Sequence, residues 1–246
     1  MNAIIIQTDN LKISIYMVFI ILSFVVGLAA AVVLMRREKT PWYVVISATV
    51  LNALMTVFGG VSITMLSSGF RQCGLSSVGG ALGVLAATFT ITRIIPEYKL
   101  QVFRAYSCII PLMYSVSKLA CHFAGCCYGM EYDGVFCLHY VGEAERLPVM
   151  NVFPVQMCET LVFAIIFAIG VVLIYVKNAK HSIFMLMCVC SIGKILLDYL
   201  RDSHANSLLI PSLNQIMCVV IVLVGVIFTY NPFIRKFMLD EGEKDQ

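Results

Sequence analysis

Long apolar runs, separated by short polar segments, dominate this chain. Seven can be marked: Ile13–Met35, Tyr43–Leu66, Leu75–Thr92, Ala105–Tyr128, Pro154–Val176, Ser182–Leu200 and Pro211–Tyr230. A helix needs about 20 residues to cross the hydrocarbon core, and each run is close to that length. The first, second and seventh contain no charged residue, which is the strongest membrane signal; the fourth, fifth and sixth each hold ionisable residues. The pattern predicts an all-α, polytopic membrane helix bundle with seven transmembrane helices, folded as a single transmembrane domain over residues 1–246. The basic cluster Arg36-Arg37-Glu38-Lys39 follows the first run instead of preceding it, the reverse of a cleaved signal peptide. No heptad run, internal repeat or long Gly/Ser linker interrupts the series.

Composition narrows the class further. Hydrophobic residues make up 60% of the chain and charged residues 13%, against about 45–50% and about 25% in soluble domains. Disordered, coiled-coil and ordinary soluble-enzyme classes are thereby excluded. A net charge of +3 is too small for a nucleic-acid partner. The placement of the charges is more informative, because cytoplasmic loops retain Lys and Arg. With the N-terminus outside, the inner segments hold Arg36, Arg37, Lys39, Arg93, Lys99, Arg104, Lys177, Lys180, Arg235, Lys236 and Lys244. The outer half holds only Lys12, Arg71, Lys118, Arg146, Lys194 and Arg201. The bias predicts an N-terminus outside and a C-terminus in the cytoplasm. It also places the loop between runs four and five outside and the tail Leu239–Gln246 inside.

Three of the six outer cations (Lys118, Lys194 and Arg201) lie in or at the end of apolar runs. An ionisable group there costs about 2.5–3.5 kcal/mol on insertion scales, so it faces a partner or a cavity. In run four, Lys118, Cys121, His122 and Gly125 recur at steps of three and four and share one helix face. Gly125 and Gly129 permit close backbone approach or helix termination. In run six, Lys194, Asp198 and Arg201 form a second row, net positive and suited to an anionic phosphate. Structural readings stand beside these: Lys118 snorkelling to the interface, and a self-neutralising ion-pair network on run six. Run five opens on Pro154-Val155-Gln156-Met157-Cys158-Glu159. Glu159 either faces the positive end of its own helix or pairs with Lys118 or Lys194. In run three, Gly79, Gly80 and Gly83 either seat a helix neighbour or leave room for a lipid headgroup. A polar site inside a lipid-embedded bundle suits an amphiphilic substrate.

The chain has ten cysteines, most of them inside apolar runs, where a thiol packs as a small hydrophobe. Cys121, Cys126 and Cys127 are denser, with Cys137 nearby on the outer loop, where a disulfide is conceivable. The spacing C-x4-C-C lacks the paired C-x-x-C of common metal sites, so no metal is expected.

In this order, four segments resemble the prolipoprotein diacylglyceryl transferases of bacteria. Gly79-Gly80-Ala81-Leu82-Gly83 is similar to that family's H-G-G-L-I-G. Residues Lys118 to Gly129 resemble its signature G-R-x-G-N-F-x-N-x-E-x-x-G, and more closely the variant G-R-x-G-C-F-x-A-G-C-C-Y-G. Pro154 to Glu159 resemble P-x-Q-L-Y-E, and Lys194 to Arg201 resemble R-F-x-x-E-F-x-R. The resemblance implies a transferase of the bacterial inner membrane that moves diacylglyceryl from phosphatidylglycerol to the lipobox cysteine thiol of a prolipoprotein. Glycerol phosphate leaves, and no soluble cofactor is implied. Such a reaction needs a cationic clamp for the departing phosphate and a setting that favours the incoming thiolate. The resemblance puts Lys118 and Lys194 at arginine positions and Asp198 and Arg201 at the closing acid and arginine. Gln156, Glu159 and Gly129 fall at matching motif positions. The candidate catalytic set is therefore Lys118, Cys121, His122, Cys126, Lys194, Asp198 and Arg201. Gly79, Gly80, Gly83, Gly125, Gly129, Gln156 and Glu159 are expected to contact substrate.

The chain departs from the family pattern at defined places. Val78 stands where the family has histidine, Cys121 replaces an asparagine, Cys126 replaces the signature glutamate and His122 replaces a phenylalanine. Lysine at both arginine positions keeps the charge and loses the bidentate fork. A diverged relative acting on another lipid or nucleophile is the alternative reading. A solute transporter is a weaker one, since no inverted repeat is present.

Overall fold

The computed structural model describes residues 5–8, 11–71, 76–139, 151–177 and 182–201, with 215–216, 218–220 and 222–223 in the seventh apolar run. Six helices are complete among these residues: α1 (Ile15–Arg37), α2 (Trp42–Ser67), α3 (Ser77–Ile94), α4 (Lys99–Ala124), α5 (Val155–Val171) and α6 (Ser182–Asp198). A π-helical turn, Val172–Val176, extends α5. The described part of the seventh run is also helical. The rest of that run, the tail Leu239–Gln246, Cys73 and Arg146 lie outside the described residues. Two small antiparallel hairpins complete the fold. One pairs β1 (Ile5–Thr8) with β2 (Leu11–Ser14), and the other pairs β3 (Leu138–His139) with β4 (Asn151–Val152).

Among the described residues four helical stretches are long and apolar enough to cross a membrane: Ile15–Arg37, Trp42–Leu66, Pro96–Ala124 and Val155–Val176. The protein is thus an all-helical, multi-pass membrane protein. Helix α3 offers a shorter apolar stretch, Gly79–Ile94. Helix α6 has 17 residues and carries Lys194 and Asp198. Surface chemistry fits a lipid environment. Ile46, Val50, Leu54 and Val57 are exposed on α2, as are Leu161, Ile165 and Ile169 on α5 and Met185, Val189, Ile192 and Leu196 on α6. Apolar side chains recurring outward every three or four residues form stripes that water would penalise and acyl chains accept.

Three run boundaries move for identifiable reasons. Residues Leu11–Ser14 pair with Ile5–Thr8, so the first helix begins at Ile15 and not at Ile13. The fourth helix begins at Lys99, after a 3-10 turn over Pro96–Tyr98. Lys99, Gln101 and Arg104 make its first turns amphipathic, which an apolar run does not register. It stops at Ala124 because Gly125 takes the left-handed conformation, with φ of 66°.

Helix pairs fix the scaffold. Helices α1 and α4 run antiparallel. The Phe19 and Phe123 rings stack at 5.0 Å near one end. Arg104 meets Glu38 at 3.0 Å near the other. Helices α2 and α3 approach backbone to backbone. A Cβ added at Gly79 would strike the Gly59 carbonyl, and one at Gly83 would strike the Met55 carbonyl. Gly80, by contrast, has room beside Thr56. The small-residue stripe of run three therefore seats α3 on α2, and Thr88 and Asn52 add a buried side-chain hydrogen bond of 3.4 Å to the same interface. Gly83→Val should lower thermal stability in detergent by about 1–3 kcal/mol, the usual range for overpacking. Gly80→Ala should leave the melting temperature close to that of the parent.

Candidate functional site

The charged residues of three separate runs meet in one buried lattice. Glu159 lies one turn into α5 and is fully buried. Its Oε2 pairs with Lys118 Nζ from α4 at 2.8 Å. Its Oε1 accepts from Lys194 Nζ of α6 at 2.9 Å. Lys194 also donates to Asp198 Oδ1, one turn further along α6, at 3.1 Å. Arg201 Nη1, just beyond the helix, donates to the same oxygen at 3.1 Å. Lys118, Lys194 and Asp198 are all buried, so Lys118 is not snorkelling. Among the described residues three cations face two carboxylates, one positive charge in excess, in a low-dielectric setting where a field is strong.

Tyr114 completes the lattice and was not singled out by the sequence pattern. Its hydroxyl donates to Glu159 Oε1 at 2.7 Å. Its ring lies 4.9 Å from Lys118 Nζ and 5.5 Å from Lys194 Nζ. One side chain thus hydrogen-bonds the carboxylate and offers a π face to both ammonium groups. The signal was present, since Tyr114 sits four residues before Lys118 and on the same face. Ser115 and Thr160 lock α4 to α5 beside it: Ser115 Oγ donates to the Thr160 carbonyl at 2.7 Å, and Thr160 Oγ1 returns a bond to the Ser115 carbonyl at 3.3 Å.

Backbone pairing brings the motif ends together. Gly129 N donates to the Phe153 carbonyl at 3.2 Å, Met130 N to the Leu200 carbonyl at 3.0 Å and Phe153 N to the Met130 carbonyl at 2.9 Å. Gly129 and Arg201 form an antiparallel bridge. A Cβ at Gly129 would collide with the Phe153 carbonyl, so only glycine fits this crossing. Gln156, also fully buried, donates Nε2 to the Cys126 carbonyl at 2.9 Å. Gln156, Glu159, Gly125 and Gly129 are thus gathered with Lys118, Lys194, Asp198 and Arg201. Gly79 and Gly83 instead meet α2.

Three thiols stand at the end of α4. The Sγ atoms of Cys121, Cys126 and Cys127 all lie within 4.8 Å of one another. On a continuous helix, positions five apart point to different faces. They converge here because the chain leaves the helix at Gly125. Cys127 then adopts a φ of 56°, the left-handed region that a non-glycine residue enters at a cost of about 1–2 kcal/mol. The Cys126 thiol donates to the Cys121 carbonyl at 3.8 Å. The His122 ring meets that of Phe123 edge-on at 5.4 Å, and its buried Nδ1 has no hydrogen-bond partner among the described residues. The Val78 side chain lies outside the described residues. Cys137 and the other described cysteines are free thiols.

Fold and site together define a polytopic membrane protein with a charge lattice held between helices and faced by thiols. The prolipoprotein diacylglyceryl transferase family model matches residues 3–231, nearly the whole chain, and the protein belongs to that family. It is 24% identical to the phosphatidylglycerol–prolipoprotein diacylglyceryl transferase 2 of Clostridium perfringens (strain 13 / Type A), in a match covering 80% of this chain and 82% of that relative. The protein is therefore a membrane-embedded transferase-family enzyme.

Proposed function

We propose that the protein transfers the diacylglyceryl group of phosphatidylglycerol to the cysteine thiol of a lipobox prolipoprotein, in the cytoplasmic membrane of a bacterium. The proposed topology has seven spans, with the N-terminus outside and the site near the outer leaflet. The observation that carries the reading is the buried Lys118–Glu159–Lys194–Asp198–Arg201 lattice, in which three cations face two carboxylates among the described residues. As the glyceryl C–O bond breaks, negative charge builds on the departing phosphate. A preorganised cationic lattice favours that state over the ground state. Glu159 and Asp198 are positioning residues that hold Lys118, Lys194 and Arg201 apart from one another and aimed inward. Cys121, His122 and Cys126 line the approach for the incoming thiol.

Purified protein given labelled phosphatidylglycerol and a lipobox peptide should yield the thioether-linked peptide by mass spectrometry. Lys118→Ala should abolish the product, and Lys118→Arg, which restores the residue of the family signature, should retain it. Absence of product in membranes where another transferase works on the same peptide would refute the reading.

The thiols at 121 and 126, at positions where the family signature has asparagine and glutamate, favour a second reading, in which the same lattice serves a different lipid or nucleophile. Rescue of a strain depleted of its own transferase by this chain alone would exclude that second reading.

A further inference from the structure

The thiol cluster takes no part in the Lys–Glu–Asp–Arg ion pairs, and it has the chemistry of a ligand set. Three cysteine sulfurs within 4.8 Å of one another offer three soft donors converging on one point. Two sulfurs bound to a tetrahedral zinc at about 2.3 Å each lie about 3.8 Å apart, so closing the set on a metal needs a contraction of about 1 Å at most. The sulfurs sit where the chain can supply that movement. Cys121 is in the last helical turn, and Cys126 and Cys127 lie in the irregular segment after Gly125. None of the three is fully buried, which leaves a path for an ion. Three thiolates around a dication carry one net negative charge, and Lys118 stands three residues before Cys121 on the same face of α4. Among the described residues neither His122 nor any other His, Cys, Asp or Glu joins the converging donors, which leaves a fourth tetrahedral position for a ligand from outside. Three protein ligands and one free position is the arrangement of catalytic zinc, whereas structural zinc closes all four.

We propose that Cys121, Cys126 and Cys127 form a three-thiolate site for a soft divalent cation of the zinc class, whose fourth position takes the thiol of the incoming substrate cysteine. The second half of this statement rests on the proposed transfer reaction; the first half does not. On binding, the substrate thiol releases its proton to water and becomes a metal-held thiolate. Its sulfur electron pair attacks the glyceryl carbon and forms the C–S bond. The C–O bond to the phosphate breaks, and that electron pair leaves with glycerol phosphate. The thioether is a poorer ligand than the thiolate and departs from the metal. Such a site would supply the thiolate-favouring environment in a chain whose signature carries cysteine where the family pattern has glutamate.

The test uses the intact protein in detergent, purified with its thiols reduced and equilibrated with Zn2+ before removal of loose metal. Mass-spectrometric metal analysis should find about one zinc per chain, the content of a single site. Cys121→Ser and the double variant Cys126→Ser/Cys127→Ser should fall to background, while Cys188→Ser, outside the cluster, should match the parent. Replacement by Co2+ in the unmutated protein should give a thiolate-to-cobalt charge-transfer band, a readout independent of any variant's folding. X-ray absorption should place sulfur about 2.3 Å from the zinc. Background zinc with all thiols titrating as reduced would overturn the site, as would one zinc retained in the cysteine variants. Full transfer by chelator-stripped protein would overturn the substrate role. Zinc binding is read without lipid or peptide, so zinc-loaded protein that makes no product would defeat the transfer reading and leave the metal site standing.

Discussion

Replacing Glu159 by glutamine should destabilise the protein by about 3–5 kcal/mol and eliminate transfer, because it removes the one carboxylate that two buried ammonium groups share. The residue is fully buried and also accepts from Tyr114, so solvent cannot take over its role. Glutamine preserves the shape but presents an amide N–H at one of the two atoms now facing a lysine. The local balance shifts from three cations against two carboxylates to three against one. Circular dichroism melts in detergent should show the loss directly. The double variant Glu159→Gln/Lys118→Met should recover part of it, since removing a stranded charge relieves the penalty that the single change creates. A coupling of about 0.5–3 kcal/mol is expected for groups in one network. A single variant that melts with the parent would mean that the lattice is not closed as described.

What the sequence revealed about this site follows from one physical rule. An ionisable side chain in an apolar run needs a partner, so Lys118, Glu159, Lys194 and Asp198 identified themselves. The choice left open for Glu159, between Lys118 and Lys194, resolves as both. Tyr114 escaped because an aromatic residue in a membrane helix raises no alarm, although its spacing from Lys118 was readable. The thiol cluster was not legible for a geometric reason. Cys121 and Cys126 diverge on any continuous helix, and only the left-handed exit at Gly125 folds them together. Pairing of Gly129 with Phe153 and Arg201 is likewise long-range, fixed by three strands of backbone and not by any local pattern. The glycines of run three behaved in the reverse way. Their spacing allowed a lipid site or a helix contact, and the α2 carbonyls beside them select the contact. The short hairpin at Ile5–Ser14 stayed hidden because its second strand continues directly into the apolar run of α1.

Arg201→Ala should separate catalysis from stability more cleanly than any other change at the site. Arg201 lies beyond the last turn of α6 and is only partly buried, and among the described residues its guanidinium pairs with Asp198. Its tie to Gly129 is made by backbone and survives truncation. Asp198 keeps Lys194 as a partner after the change, so no carboxylate is stranded. The melting temperature should therefore shift little. Transfer should suffer far more, because Arg201 supplies the third cation and with it the lattice's excess positive charge. Removing one preorganised donor from a developing anion costs about 10²–10³ in kcat, and a loss of that order is expected with the Michaelis constant for phosphatidylglycerol less affected. Arg201→Lys should recover much of the rate, since a point charge can still oppose the phosphate, yet not all of it, because lysine lacks the planar fork that can hold Asp198 and a phosphate oxygen at once. If the alanine variant kept the parental kcat, the excess charge of the lattice would have no part in the chemistry. The clamp would then have to be sought in Lys118 and Lys194 alone, whose charges are already matched by Glu159 and Asp198.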